Sequence, residues 1–129
     1  MTNKLNILLV DDSEIIISNL ETILADLDNV HSIENARSVA FAKYVLKEEE
    51  TDIAILDISL PDGNGLELLK WAKKLFPKLT VIIFSNNADE VHRSIATEYG
   101  ADYFFDKSTQ AEELVQTVSV LESKCNFSL

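Results

Sequence analysis

Four short stretches of this chain are apolar without a break: Ile7-Leu8-Leu9-Val10, Ile53-Ala54-Ile55-Leu56, Val81-Ile82-Ile83-Phe84 and Tyr103-Phe104-Phe105. A strand with one wet face alternates apolar and polar residues. Unbroken runs of this length therefore predict strands covered on both faces, as in a parallel sheet between helical layers. Val30 to Ile33 interleaves His31 and Ser32 with apolar residues, a mixture that suits an edge strand.

Amphipathic stretches lie between these runs. Glu14 to Leu27 spaces Ile16, Leu20, Ile23, Leu24 and Leu27 as a helix does, with Ser13 as its N-cap. Ser38 to Lys47 gathers Val39, Ala42, Val45 and Leu46 on one side. Gly65 to Phe76 uses Leu66, Leu69, Ala72, Leu75 and Phe76, and Pro77 stops it. Ala88 to Tyr99 carries a thin stripe of Ala88, Val91, Ile95 and Tyr99 before Gly100, a C′ residue by type. Ala111 to Leu121 offers Leu114, Val115, Val118 and Leu121. Strand and helix thus alternate five times with short connections, which implies a parallel sheet with right-handed crossovers. The predicted fold is a doubly wound α/β domain, (βα)5, with a five-stranded parallel sheet in the order 2-1-3-4-5. One domain is expected over residues 1–123, and a mobile tail over 124–129 in which Phe127 and Leu129 could still dock.

Composition narrows the function. A chain of 129 residues with 47% hydrophobic residues suits one domain with one real core. A formal net charge of −11 and a pI near 4.4 argue against direct binding of nucleic acid or an anionic membrane, and suit a basic or neutral protein partner. The single cysteine, Cys125, allows no internal disulfide. No apolar run approaches the roughly 20 residues of a membrane helix, and Met1 to Asn6 lacks the layout of a signal peptide. A cytoplasmic protein is expected.

The chemistry lies just past the end of each strand. The first ends in Asp11-Asp12, the third in Asp57, the fourth in Ser85 before Asn86 and Asn87, and the fifth in Asp106-Lys107-Ser108. Open α/β sheets bind ligands at the carboxyl ends of their strands, where the strand order reverses. In the order 2-1-3-4-5 that point lies between strands one and three, so Asp11, Asp12 and Asp57 converge. Ser85, one strand away, can face Asp57. Lys107 is two strands away, roughly 10 Å at the usual spacing, which its long stem and the sheet twist can close. Three carboxylates in one pocket repel, and a hard divalent cation offsets this: Mg²⁺ takes one or two carboxylates plus a phosphate oxygen. A carboxylate nucleophile, a metal, a hydroxyl and a lysine are what phosphoryl transfer to a carboxylate needs, since its transition state is loose and anionic.

These pieces in this order, with "LDISLPDGNG" around Asp57 and "GADYFFDKS" around Lys107, resemble the receiver domains of two-component response regulators over essentially the whole chain. The resemblance implies a flavodoxin-like fold in which Asp57 is the phosphoacceptor and Lys107 and Ser85 bind phosphoryl oxygens. It implies that Asp12 binds Mg²⁺ directly, with Mn²⁺ as a possible substitute, Asp11 through water, and Ser59 through its backbone carbonyl. Ser85 and Phe104 would form the switch pair, and Ser59, Asn86 and Asn87 would tune the phosphoryl lifetime. The donor would be a histidine kinase or phosphotransfer protein, docking on the first helix at Ile15 and Ile16 and on the loop after Lys107. The output would be a protein partner on the face of helix four, strand five and helix five, with the chain a monomer or a phosphorylation-dependent dimer. Such a protein is no enzyme beyond its own phosphorylation and dephosphorylation.

Two residues depart from the pattern. Asn86 stands where the family has a small residue, which would narrow the phosphoryl entrance. Ser108 stands where the family has proline in a cis bond. A cis bond without proline costs about 3–4 kcal/mol, which leaves the isomer at Lys107–Ser108 open. Those departures are the support for a second reading, a phosphorylation-independent interaction module. A third, a Mg²⁺-dependent phosphohydrolase of small molecules, would want Asp-x-Asp after the first strand and a cap insertion, and finds neither. The bland readings are a turn at Leu60-Pro61-Asp62-Gly63, surface positions for His31 and His92, a packing role for Trp71 and a solvated helix end at Glu48-Glu49-Glu50. No GxGxxG or GxxxxGK[ST] comes after the first strand, and Asp11 and Asp12 would meet a dinucleotide phosphate head-on.

Overall fold

A computed structural model describes residues 4–122. Cys125 and the expected tail lie outside the described residues. Among the described residues, seven strands and five helices succeed one another as β1 (Leu5–Val10), α1 (Glu14–Ala25), β2 (Val30–Ala36), α2 (Val39–Glu48), β3 (Ile53–Leu56), β4 (Ser59–Leu60), β5 (Gly63–Asn64), α3 (Gly65–Leu75), β6 (Thr80–Ser85), α4 (Glu90–Glu98), β7 (Tyr103–Asp106) and α5 (Ala111–Ser119). The main sheet is parallel throughout and ordered β2-β1-β3-β6-β7. With the two-residue strands β4 and β5 set aside, this is the predicted order 2-1-3-4-5.

The apolar strands feed two cores, one on each face. In β1, Leu5, Ile7 and Leu9 face one way and Leu8 and Val10 the other. In β3 and β6, Ile53, Ile55, Ile82 and Phe84 join the first set, and Ala54, Leu56, Val81 and Ile83 the second. Leu20 and Leu24 of α1 and Leu114 and Val118 of α5 close the first core. Helices α2, α3 and α4 close the second through residues such as Val45, Leu69 and Ala96. A period of two along each strand with cover on both sides is why no polar residue interrupts these runs. The edge strand β2 is more exposed, as its mixed composition requires.

Helix ends and some helix faces differ from the expectation. Helix α1 stops at Ala25, because Asp26 and Leu27 donate to Ile23 and Leu24 in tighter three-residue turns. Helix α4 starts at Glu90 rather than Ala88, because the Asp89 side chain accepts the His92 N–H at 3.1 Å and caps it there. Pairing with Val10 extends β2 to Ala36. Ile23, Leu75 and Val91, expected in the core, are exposed, Val91 by 66%. Val91 precedes the buried Ala96 by five residues, roughly 140° round the helix at about 100° each. The expected C′ residue, Gly100, has φ of 103°, a conformation that favours glycine.

The turn after Asp57 carries more structure than expected. Ser59 pairs with Asn64 and Leu60 with Gly63 in a small antiparallel hairpin. At its tip, Asp62 accepts the Val39 and Ala40 N–H groups at 2.7 and 3.0 Å. These are unpaired donors at the start of α2, and they hold the Asp62 carboxyl below its ordinary pKa. Gly65 then donates to the Ile58 carbonyl at 2.7 Å. A methyl group on Gly65 would fall inside the backbone carbonyl of Asp57. Gly65→Ala is therefore expected to lower stability by roughly 3 kcal/mol, the upper end of overpacking costs, and to move the strand tip that carries Asp57. Urea unfolding and backbone amide shifts at residues 56–58 check both effects.

Candidate functional site

Strands β1 and β3 are neighbours, but α1 and α3 pack on opposite faces of the sheet. The loops after the two strands part, and their tips border one crevice. Backbone bonds fix those tips: Asp11 donates to Ala36, Asp57 to Val10 and Lys107 to Ser85, each one residue past its strand. Sheet geometry thus continues into the positions that carry the chemistry.

Asp11, Asp12 and Asp57 converge, with one carboxylate oxygen of each within 4.8 Å of the others. Asp11 and Asp57 are buried and Asp12 is exposed. Lys107 reaches across, with Nζ 2.7 Å from Asp11 Oδ2 and 3.0 Å from Asp57 Oδ2. The remaining oxygens of the buried pair accept backbone N–H groups, Asp11 Oδ1 from Ser13 and Asp57 Oδ1 from Ile58. Burial pulls the Lys107 pKa down, but the Asp11 and Asp57 carboxylates outweigh it and hold the ammonium above its ordinary range. Lys107 stays charged at neutral pH. Three carboxylates against one ammonium leave excess negative charge lined by hard oxygen donors, and such a cluster could hold a metal ion.

The hydroxyl expected to face Asp57 is engaged by the loop after β6. Ser85 is fully buried, and its Oγ accepts the Asn87 N–H at 3.1 Å. The register pairs Leu56 with Ile83, so Ser85 sits one residue beyond the level of Asp57. Asn87 Nδ2 donates to Ser59 Oγ at 3.1 Å, linking two of the predicted tuning residues, while Asn86 is exposed. No cis peptide bond occurs among the described residues, so Lys107–Ser108 is trans, and Ser108 bonds to Asp106 Oδ1 through both its N–H and its hydroxyl. Phe104 is half-buried on the side of the sheet that α4 covers. His31 is exposed, and His92 pairs with Asp89 at 2.7 Å at the start of α4. Trp71 packs at the core edge under Lys43 and Lys47.

Two contributors show their part only in the structure. Gly65 ends the quoted stretch around Asp57, but what it does appears only when α3 is laid against Asp57. Arg93 is an ordinary helix cation until its contacts with Ala88, Phe104 and Gln110 are seen.

Comparison with known proteins decides the family. The family described as response regulator receiver domain matches residues 7–119. The chain belongs to this family. It is 34% identical over 129 residues to the transcriptional regulatory protein GltR of Pseudomonas aeruginosa, covering 98% of this chain and 52% of that protein. It is 28% identical over 116 residues to the uncharacterized transcriptional regulatory protein YhcZ of Bacillus subtilis, covering 90% and 54%. The chain thus spans about half the length of these curated relatives. Among solved structures, a CheY-like receiver domain from Methanospirillum hungatei superposes with a TM-score of 0.81 at 28% identity, over 89% of this chain and 90% of that one. The protein is a receiver domain of the two-component type with the flavodoxin-like fold. That membership favours a signalling phosphoacceptor over the phosphohydrolase and phosphorylation-independent readings. Among the described residues, no helix is long and apolar enough to cross a membrane.

The receiver's charge balance is open to test. Lys107→Met leaves Asp11 and Asp57 facing each other without a counterion. At neutral pH with EDTA it is expected to lower stability by about 3–5 kcal/mol, as when one partner of a buried pair is removed. Adding Asp57→Asn to the same protein is expected to restore part of that loss. Urea denaturation of the single and double variants measures both.

Proposed function

We propose that Asp57 accepts a phosphoryl group from a phosphohistidine on a histidine kinase or phosphotransfer protein, and that the change is read on the face of α4, β7 and α5 by a protein partner. The observation that carries this reading is the Lys107 ammonium seated between Asp11 and Asp57. An Asp57 oxygen attacks phosphorus in line with the P–N bond. As the O–P bond forms, the P–N bond breaks and its electron pair leaves with the imidazole, which takes up a proton. Lys107 exchanges a carboxylate oxygen for a phosphoryl oxygen with little movement of its stem. The Ser85 hydroxyl gives up the Asn87 N–H to bind another, and Phe104 turns into the space behind it.

Asp11, Asp12, Asp57 and the Ser59 carbonyl would hold Mg²⁺, or Mn²⁺ in its place. When bound, the ion neutralises charge on the phosphoryl oxygens. Ser59 comes two residues after Asp57, and the bond that it accepts from Asn87 would restrict approach of hydrolytic water. Residues 1–123 would be the receiver unit, at work in the cytoplasm as a monomer or a phosphorylation-dependent dimer. The relatives' names as transcriptional regulators support an output that reaches gene control through other segments or partners.

Incubation with acetyl phosphate and Mg²⁺ is expected to add one phosphoryl group, seen as one shifted band on a Phos-tag gel, and Asp57→Asn is expected to show none. An unshifted native band, or equal labelling of the variant, would falsify the assignment. Mg²⁺ at ten times its Kd is expected to stabilise the fold by about 1.4 kcal/mol. Asp12→Ala is expected to lose most of that gain in a thermal melt.

A further inference from the structure

We propose that Arg93 is a latch on the Phe104 ring, a positioning residue that holds the receiver in its unphosphorylated form; the inference rests on the phosphoacceptor reading above. Arg93 lies half-buried on α4. Its guanidinium carbon sits 4.6 Å from the centroid of the Phe104 ring, well inside the range of a cation–π contact. Nε donates to the Ala88 carbonyl at 2.9 Å and Nη1 to the Phe104 carbonyl at 3.4 Å. Nη2 donates to Gln110 Oε1 at 3.4 Å, and that oxygen also accepts the Asp106 N–H at 2.9 Å.

One side chain therefore grips three segments. These are the loop that runs from Ser85 into α4, the strand that carries the ring, and the turn after Lys107. All three border the groups that must move if Ser85 is to reach a phosphoryl oxygen. Carbonyls, an amide oxygen and a ring hold the guanidinium, so a surface ion pair is not the reason for its placement. The planar fork of arginine suits such a set, and lysine would satisfy only part of it. A state in which the ring turns inward has to break the stacking on Arg93. By reciprocity, whatever Arg93 adds to the unphosphorylated form it subtracts from the affinity for a phosphoryl mimic.

The test is the affinity of beryllofluoride with Mg²⁺, read by calorimetry and by fluorine NMR. Arg93→Met keeps the apolar stem and removes the guanidinium. It is expected to bind the mimic about 3- to 30-fold more tightly than the native chain, the span of one cation–π contact converted to affinity. Arg93→Lys is expected to fall between the two, and it carries the same test if Arg93→Met does not fold. With Phe104→Leu already present, Arg93→Met is expected to change the affinity little. A residue that only stabilised the fold would lower the melting temperature without tightening the mimic. Equal or weaker binding by both Arg93 variants overturns the latch alone. No binding by the native chain overturns the phosphoacceptor reading, and the latch with it.

Discussion

Three carboxylates gathered at the tips of two adjacent strands repel one another, and much of the molecule is arranged to contain that repulsion. Two unit charges about 4.8 Å apart repel by roughly 3.5 kcal/mol at an effective dielectric near 20. Asp11, Asp12 and Asp57 lie within that distance, which is a large burden on a domain with a marginal stability. Lys107 offsets only part of it. One ammonium shared by two buried carboxylates leaves the cluster with two formal negative charges, which matches one divalent cation. Lys107 is thus a cation that can change partners, and the charge it leaves over is what a metal would answer.

The backbone bears the rest of the load. Asp57 can sit at the rim because its own amide is tied to Val10 and its side chain to the Ile58 N–H. Ile58 is tied in turn to Gly65, the first residue of α3. Close approach of α3 to the strand tip is possible because Gly65 has no side chain. The hairpin between Ser59 and Asn64 rigidifies the same loop and reaches out through Asp62 to cap α2. A segment with the composition of a turn thereby couples the site to two helices.

How much could be read from the residues alone depends on the range of each interaction. Strands β1, β3 and β6 were legible because cover on both faces leaves an unbroken apolar run in the sequence itself. The carboxylates and Lys107 were legible because each comes directly after such a run, and strand order alone brings them together. Some helix termini were legible too, with Ser13 capping α1, and with α3 and α5 opening at Gly65 and Ala111, but the start of α4 was not, since the choice between Ala88 and Glu90 rests on one Asp89 hydrogen bond. The Ser85 hydroxyl was placed in the right region, but its bond from the Asn87 N–H was not legible, because it depends on the loop conformation. The roles of Arg93 and Gly65 were hidden for a stronger reason, even though Gly65 ends the motif around Asp57. What they do depends on groups from other elements, and periodicity does not report that.

Helix α4 shows how this arrangement leaves room for a switch. It buries Ala96 fully and only partly buries Ile95 and Tyr99, whereas α3 buries Leu66, Leu68, Leu69 and Ala72. Apolar burial contributes roughly 25 cal/mol per Å² and is lost whenever a helix slides off its core. A helix with so little of it resists displacement weakly, and a larger share of its position is set by polar ties. Hydrogen bonds to carbonyls and a ring face can be exchanged for others at small net cost, because water or a neighbour replaces what is given up. The side of the sheet that carries Phe104 is therefore the side on which the fold is least committed to one packing. The opposite layer, closed by Leu20, Leu24, Leu114 and Val118, rests instead on buried apolar side chains, the part of the packing that costs most to displace.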